Sequence, residues 1–369
     1  MAYIFSNVKT FSKESKDLAE AIKEYANNVM LEQKGDVKAF ASHSKDEMET
    51  LINKAFCDEL AKHTGAIPSI DEKGGKTALQ RFANRTTVKE FADEIRDTMI
   101  DAILPILIDN GAIKYFSEVK YADIGDSITF EIESNAMLTV SKADYRRRRI
   151  NAQKTFDASM TMTGTNHMVT VSDNLFNILA GRSHIARDVM RAGIAIEKAM
   201  LVDAYNAFVG AMSGLSGNLA VANYSEKSLI KLCQTVTAYN QGKKAIIVGT
   251  PVALKSVLPQ SGNYRFDLDS EYVKVGHLAT FNGYDVLPLD QVADPDVNDP
   301  YKLLLDDTKI YVVSPASDKI VKMGVFGGVL SNSNDAYDTA NKSVNNTLEK
   351  SWEVAVVTNS VAGVVNSIG

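Results

Sequence analysis

The residues best equipped for chemistry in this chain do not gather into a site. His43, His63, His167, His184 and His277 make up the whole histidine complement, and each stands alone in a different predicted element, as a surface or boundary residue would. Cys57 and Cys233 are as solitary. Both fall in apolar-periodic helical contexts, where a thiol reads as a small buried hydrophobe rather than as half of a disulfide. A metallohydrolase, a zinc ribbon, a serine nucleophile or a dinucleotide turn needs groups at fixed spacing, and HExxH, CxxC, GxSxG and GxGxxG are all absent. Gly242-Lys243-Lys244 lacks the upstream glycine and the Ser/Thr of a phosphate loop. Asp294, Asp296 and Asn298 offer oxygens at alternate positions, as a calcium loop begins. Asp299 then occupies the place of the sharp-turn glycine and Leu305 that of the bidentate glutamate, so a solvated turn is the better reading. Asp267, Asp269 and Glu271 are set aside in the same way. The expectation is no catalytic residue, no cofactor and no metal, and hence no enzyme.

The sharpest charged feature is Arg146-Arg147-Arg148-Arg149, preceded by Tyr145. Guanidinium forks pair with carboxylates in two-pronged fashion, so the run suits a strap onto a protein partner. Arginines beside an aromatic also suit phosphate, and a solvated turn is the bland alternative. The protein strap is preferred and makes Tyr145 and Arg146 to Arg149 candidate inter-subunit contacts.

The elements that must position such a run are legible in outline. Composition first: 369 residues suffice for about two domains, and 45% hydrophobic content fills their cores. A formal net charge of −6 gives no global basic field for nucleic acid, so any contact with DNA must be local. No signal-peptide pattern opens the chain and no apolar run is long enough to span a bilayer, so a soluble protein made in the cytosol is expected, with no membrane partner. Leu18, Ile22, Tyr25 and Val29 repeat at helical spacing. A second helix through Met48, Ile52 and Phe56 opens with the capping box Ser44-x-x-Glu47 and stops at Gly65. Asp71 to Lys76 reads as a linker. A third helix, through Phe91, Ile95, Met99, Ile103 and Leu107, is expected to follow a box at Thr87-x-x-Glu90 and to bend at Pro105.

From Ser117 to Val171 the period changes to two, as in Ile128, Phe130 and Ile132. A ribbon so thinly hydrophobic has little core of its own and should need another subunit to lie on. One long helix then runs from His184 to about Met212. Ser225 caps a further helix, which Gly242 stops. Strands are expected through Ile310 to Val313 and through Trp352 to Val357.

The most telling stretch is Lys244 to Leu289. Ala245 to Val248 is a buried-strand run broken by Gly249, and Thr250-Pro251 supplies an N-cap side chain and a first-turn residue fixed near helical φ. A hairpin should close the stretch, with Thr280-Phe281 and Tyr284 to Leu287 around Asn282-Gly283, the dipeptide best suited to a type I′ turn. This strand, short helix and TFNGYxV hairpin resemble the A domain of tailed-bacteriophage major capsid proteins of the HK97 type. Ala192 to Glu197 is similar to that family's spine-helix sequence. The resemblance covers roughly residue 116 to the C-terminus, and the first hundred residues match only in style.

The resemblance implies an α+β fold of HK97 type with an N-terminal helical arm (1–76), a helix leading into the shell domain (77–116) and an extended β-hairpin E-loop (117–171). A P domain with the spine helix (172–222 and 310–369) and an A domain (223–309) complete it. Phe281, Asn282, Gly283 and Tyr284 would belong to the A domain near the capsomer centre and Glu197 to the spine helix. The implied function is structural: self-assembly as hexamers and pentamers into an icosahedral shell around double-stranded DNA, in the virion, after assembly in the host cytoplasm. Implied partners are copies of itself, scaffolding, portal and decoration proteins, and packaged DNA held non-specifically on the inner face. Some relatives crosslink a loop lysine to an asparagine; Lys142 and Lys154 are available, but nothing in the sequence identifies partners. An encapsulin-type nanocompartment shell is the alternative reading, and an α/β enzyme or ligand-binding domain a more distant one.

Overall fold

The computed structural model describes residues 13–33, 39–41, 43–71, 74–110, 117–132, 134, 157–173, 175–258, 276–294, 299–314, 319–333 and 344–368. The N-terminal part is helical: α1 (Lys13–Gln33), α2 (Lys45–Thr64), α3 (Gly75–Ala83) and α4 (Thr86–Asn110). At the start of α2 both bonds of the capping box form, Ser44 accepting from the Glu47 amide and Glu47 accepting from the Ser44 amide. α3 occupies part of the stretch that composition marks as a linker, because Gly74 turns the chain at a φ of 86° and Leu79 and Phe82 bury themselves. Nor does α4 start at the Thr87 box. It begins two residues earlier than that box implies, at Thr86, with the Arg85 carbonyl accepting from Val88 and Lys89, so Thr87 lies inside the first turn.

Two sheets follow. The first has four strands in the order β1 (Ser117–Ala122), β10 (Val321–Ser333), β11 (Val344–Val356), β4 (Thr165–Asp173). Its β1–β10 pair is parallel, and its β10–β11 and β11–β4 pairs are antiparallel. Between β1 and β4 a ribbon of β2 (Ile128–Ile132) and β3 (Ala158–Met162) leaves the sheet. The second sheet has six strands in the order β5 (Ala220–Val221), β12 (Gly363–Val365), β9 (Ile310–Val313), β6 (Ile246–Gly249), β8 (Tyr284–Pro288), β7 (Thr280–Phe281).

Short helix α5 (Leu175–Leu179) leads into α6 (Ile185–Ser213), whose 29 residues reach about 43 Å at 1.5 Å per residue. This length lets one helix serve both sheets. Its residues, from Ile185, Val189, Ile196 and Met200 on to Phe208 and Met212, lie in one continuous core with Met323, Leu348 and Trp352 of the first sheet and with Val248, Tyr311 and Val364 of the second. Phe208 meets Tyr311 edge-on, ring centroids 5.0 Å apart, and Trp352 Nε1 donates to Asp203 at 2.8 Å. α4 crosses α6 closely at Gly193, where an added Cβ would stand 2.7 Å from Ile103 Cδ1. α7 (Glu226–Tyr239) and the one-turn α8 (Pro251–Leu254) cover the opposite face of the second sheet with a separate core of Leu229, Cys233, Val236, Ile247, Phe281 and Val312.

Candidate functional site

The sequence expects the ribbon to lack support within its own chain; its base has some. Ile128, Phe130 and Met162 pack onto Phe326 on the outer face of the first sheet. Gly164 permits the turn back into β4, since a Cβ there would be 2.7 Å from the Phe326 ring. Phe130 is flanked by two ammonium groups, Lys120 Nζ at 4.6 Å and Lys322 Nζ at 5.9 Å from its centroid. Lys322 is fully buried and bonded to Glu118 at 2.6 Å, and Lys120 lies 3.5 Å from Glu118 and donates to the Thr129 carbonyl at 3.1 Å. Burial alone would raise the Glu118 carboxyl, but Lys322 and Lys120 together hold it below its ordinary value. The ribbon thus leaves the sheet from a charged, partly aromatic root that fixes its direction. Tyr145 and Arg146 to Arg149, like Lys142 and Lys154, lie outside the described residues.

In the second sheet the expected strand, short helix and hairpin form. Thr250 Oγ1 accepts from the Ala253 amide at 3.3 Å to cap α8. Asn282 and Gly283 take φ values of 47° and 81°, the positive pair that a type I′ turn requires, and both are exposed at the tip. Phe281 is buried in the core that α7 and α8 share with the second sheet, and Tyr284 is half-buried at its edge. Glu197 lies half-buried on α6. Burial pushes its carboxyl up to about 7, with Lys198 pulling the other way.

Among the described residues no group of His, Cys, Asp or Glu is placed to hold a metal ion. Asp294 pairs with Lys302 at 2.9 Å, while residues 295–298 lie outside the described residues. The histidines remain apart: His63 stacks on Phe91 at 5.0 Å and His167 on Trp352 at 3.7 Å, and His184 takes the N-cap position of α6. His277, expected as a surface or boundary residue, is buried, with 8% of its surface exposed. Burial pushes the Cys57 thiol up to about 11 and the Cys233 thiol up to about 12, so both stay protonated and poorly nucleophilic at neutral pH. Among the described residues no helix is long and apolar enough to cross a membrane.

What sequence reading missed is a polar bolt beneath α6. Glu49 on α2 is fully buried and accepts from Tyr25 Oη of α1 at 2.7 Å and from Arg187 Nη2 of α6 at 2.6 Å. One of three glutamates on α2, a long way in sequence from its arginine, gives no local signal.

No family model matches the sequence, and no curated protein matches it. Among solved structures the chain is similar to one in the asymmetric unit of the bacteriophage PhiM1 mature capsid, with a TM-score of 0.46 and 10% identity over 70% of this chain and 87% of that one. It is also similar to the capsid of the native GTA particle, with a TM-score of 0.45 and 12% identity over 70% of this chain and 90% of that one. The virus-like particle from Pyrococcus furiosus gives a TM-score of 0.42 and 11% identity over 72% of this chain and 97% of that one.

Proposed function

We propose that this chain is a shell-forming major capsid protein of the HK97 type, acting through assembly and not through a reaction. The observation that carries the reading is the order of parts. A helical N-terminal region precedes a β ribbon rooted on a small sheet; a 29-residue helix then underlies that sheet and a second one, which carries the strand, one-turn helix and Asn-Gly hairpin. In this reading residues 117–171 reach over a neighbouring subunit, the hairpin Phe281 to Tyr284 faces the centre of a capsomer, and Glu197 marks the spine. Copies join as hexamers and pentamers into a closed shell around double-stranded DNA, with scaffolding, portal and decoration proteins as accessory partners. Many shared interfaces make weak individual contacts sufficient, because each subunit is held by several at once.

Expression alone, or with a scaffolding protein, should yield material that elutes near the void volume and that electron microscopy resolves as shells or as rings of five and six. A monomer peak at every concentration, with and without scaffold, would overturn the reading. Shells of uniform size that enclose a co-purifying protein and no DNA would move it to a nanocompartment.

The arginine run gives a second expected result. Alternate residues of a strand face opposite sides, so in an extended run at most two of Arg146 to Arg149 would address one partner surface and the other two would face solvent or a second subunit. Single exposed pairs contribute about 0–1 kcal/mol, whereas a bidentate pair at a seam is repeated in every copy of a shell. Reversal of all four to glutamate should block assembly, or make shells fall apart at moderate salt, while circular dichroism of the subunit stays unchanged. Normal shells that fail only to retain DNA would replace the protein strap with phosphate binding.

A further inference from the structure

At the joint between the helical layer and the first sheet, one buried lysine and two half-buried carboxyls converge on a break in a strand. β10 shifts register against β11 between Phe326 and Leu330, and Gly327 there takes a φ of 61°. A bulge disrupts the ladder locally, and its backbone groups need other partners when buried. α4 supplies them. Asp101 Oδ1 accepts from the Val329 amide at 2.8 Å, and Asp97 Oδ2 accepts from the Ser331 amide at 2.7 Å. The other oxygen of Asp97 is bonded to Ser331 Oγ. From β11, Lys350 donates to the Gly327 carbonyl at 2.6 Å and lies 3.5 Å from Asp101, its side chain only 4% exposed. The fit leaves no slack, since a Cβ on Gly328 would stand 2.6 Å from Asp101 Oδ2.

Asp101 thus holds the buried lysine, and Asp97, one helical turn earlier, adds a second carboxyl beside Asp101. A turn earlier on α4, Asp93 is more deeply enclosed, 3.5 Å from its own partner Arg96. We propose that Asp97, Asp101 and Lys350 form a proton-operated clasp: one proton at Asp97 tightens the attachment of α4 to the bulge of β10, and its loss loosens it. Protonation removes no bond. A neutral Asp97 donates to Ser331 Oγ, which serves equally as donor or acceptor, and its remaining oxygen keeps the Ser331 amide. Ionisation instead sets a second half-buried anion beside Asp101.

The electrostatics point the same way. Burial is the main cause that pushes Asp97 up to about 7; the Ser331 hydrogen bonds pull it down, and Asp101 and Asp93 push it further up. Burial also raises Asp101 against the pull of Lys350, and lowers Lys350 against the pull of Asp101. From β4, His167 stands opposite Lys350 in the register. Because Asp97 binds its proton more tightly folded than unfolded, its contribution to stability is complete below about pH 4 and is lost as pH rises through about 7. The joint also has something to transmit. α4 shares the core of α1, α2 and α6, while β10 carries β1 and meets Ile124, next to Gly327, at the root of the ribbon.

The test needs only the folded chain, so its failure would leave the capsid reading untouched. Asp97→Asn mimics the protonated side chain. Urea unfolding of wild type and D97N at pH 5.5 and pH 8 should show the ratio of their unfolding constants changing by at least about tenfold, with the variant gaining on the wild type at pH 8. A His167→Gln background removes the nearby imidazole and should leave that change in place. Should D97N not fold, hydrogen exchange of the wild-type segment 325–333, corrected for intrinsic rates, should show protection falling between pH 6 and pH 8. A pH-independent ratio, or protection unchanged across that range, would overturn the clasp.

Discussion

Deletion of residues 1–74 is expected to abolish cooperative folding of the remainder. Leu18, Ile22, Tyr25 and Val29 of α1 and Met48, Ile52, Phe56 and Leu60 of α2 are all buried in one core with α4 and α6. Burying a large apolar side chain contributes about 1.5–3 kcal/mol, so these residues together match or exceed the 5–15 kcal/mol by which a whole domain is typically stable. Deletion also removes the entropy cost of ordering the two helices, which reduces the net loss. It cannot restore cover to the apolar faces of α4 and α6 on which α1 and α2 pack, which would then face water. The truncated chain should therefore aggregate, or show helical circular dichroism without a cooperative thermal transition. For the same reason the segment is expected to stay on the subunit as a retained arm. Mass spectrometry of mature particles tests this, and a subunit starting near Gly75 would show that the arm is temporary.

Signals carried by neighbouring residues were legible in the sequence, and those carried by distant pairing were not. Ser44 with Glu47, Thr250 with Pro251, and Asn282 with Gly283 each specify their geometry within four residues, and each takes the conformation expected. β10 escaped because Gly324, Gly327 and Gly328 weaken the strand pattern. Its glycines are required by what lies above them, the Phe326 ring, Ile124 and Asp101, and none of these is near in sequence except Phe326. The ribbon looked unsupported for a related reason: β1 pairs with a strand that begins at Val321, and no local period reports a partner that far along the chain. Asp97 and Asp101 carry no local signal either. Their partners, the Val329 and Ser331 amides, lie far along the chain, and both carboxyls end up only half-buried.

Arg187→Ala should be the most damaging single substitution that leaves the apolar core intact. It leaves Glu49 buried with Tyr25 alone for a partner, at the junction of α1, α2 and α6. Breaking a fully buried pair costs about 3–5 kcal/mol because the surviving charge is uncompensated. Arg187 is itself 47% exposed, so water reaches part of the vacated space and about 2–4 kcal/mol is the better expectation. Glu49→Gln should cost less, about 1–2 kcal/mol, since the amide oxygen still accepts from Tyr25 and no charge is stranded. The pH dependence separates an electrostatic role from simple packing. In the wild type, burial would raise the Glu49 carboxyl, but the hydrogen bonds from Tyr25 and Arg187 outweigh it and hold the group below its ordinary 4.5. Its stabilisation is therefore present above about pH 4.5 and is lost as pH falls through the lowered value. Without Arg187 burial dominates, the carboxyl rises, and the variant regains stability on protonation. Urea unfolding at pH 7 and pH 4 should thus show the gap between wild type and R187A narrowing at the lower pH. A gap of the same size at both would mean that the arginine acts through its packed stem and that the buried carboxylate is not what binds the arm to the long helix.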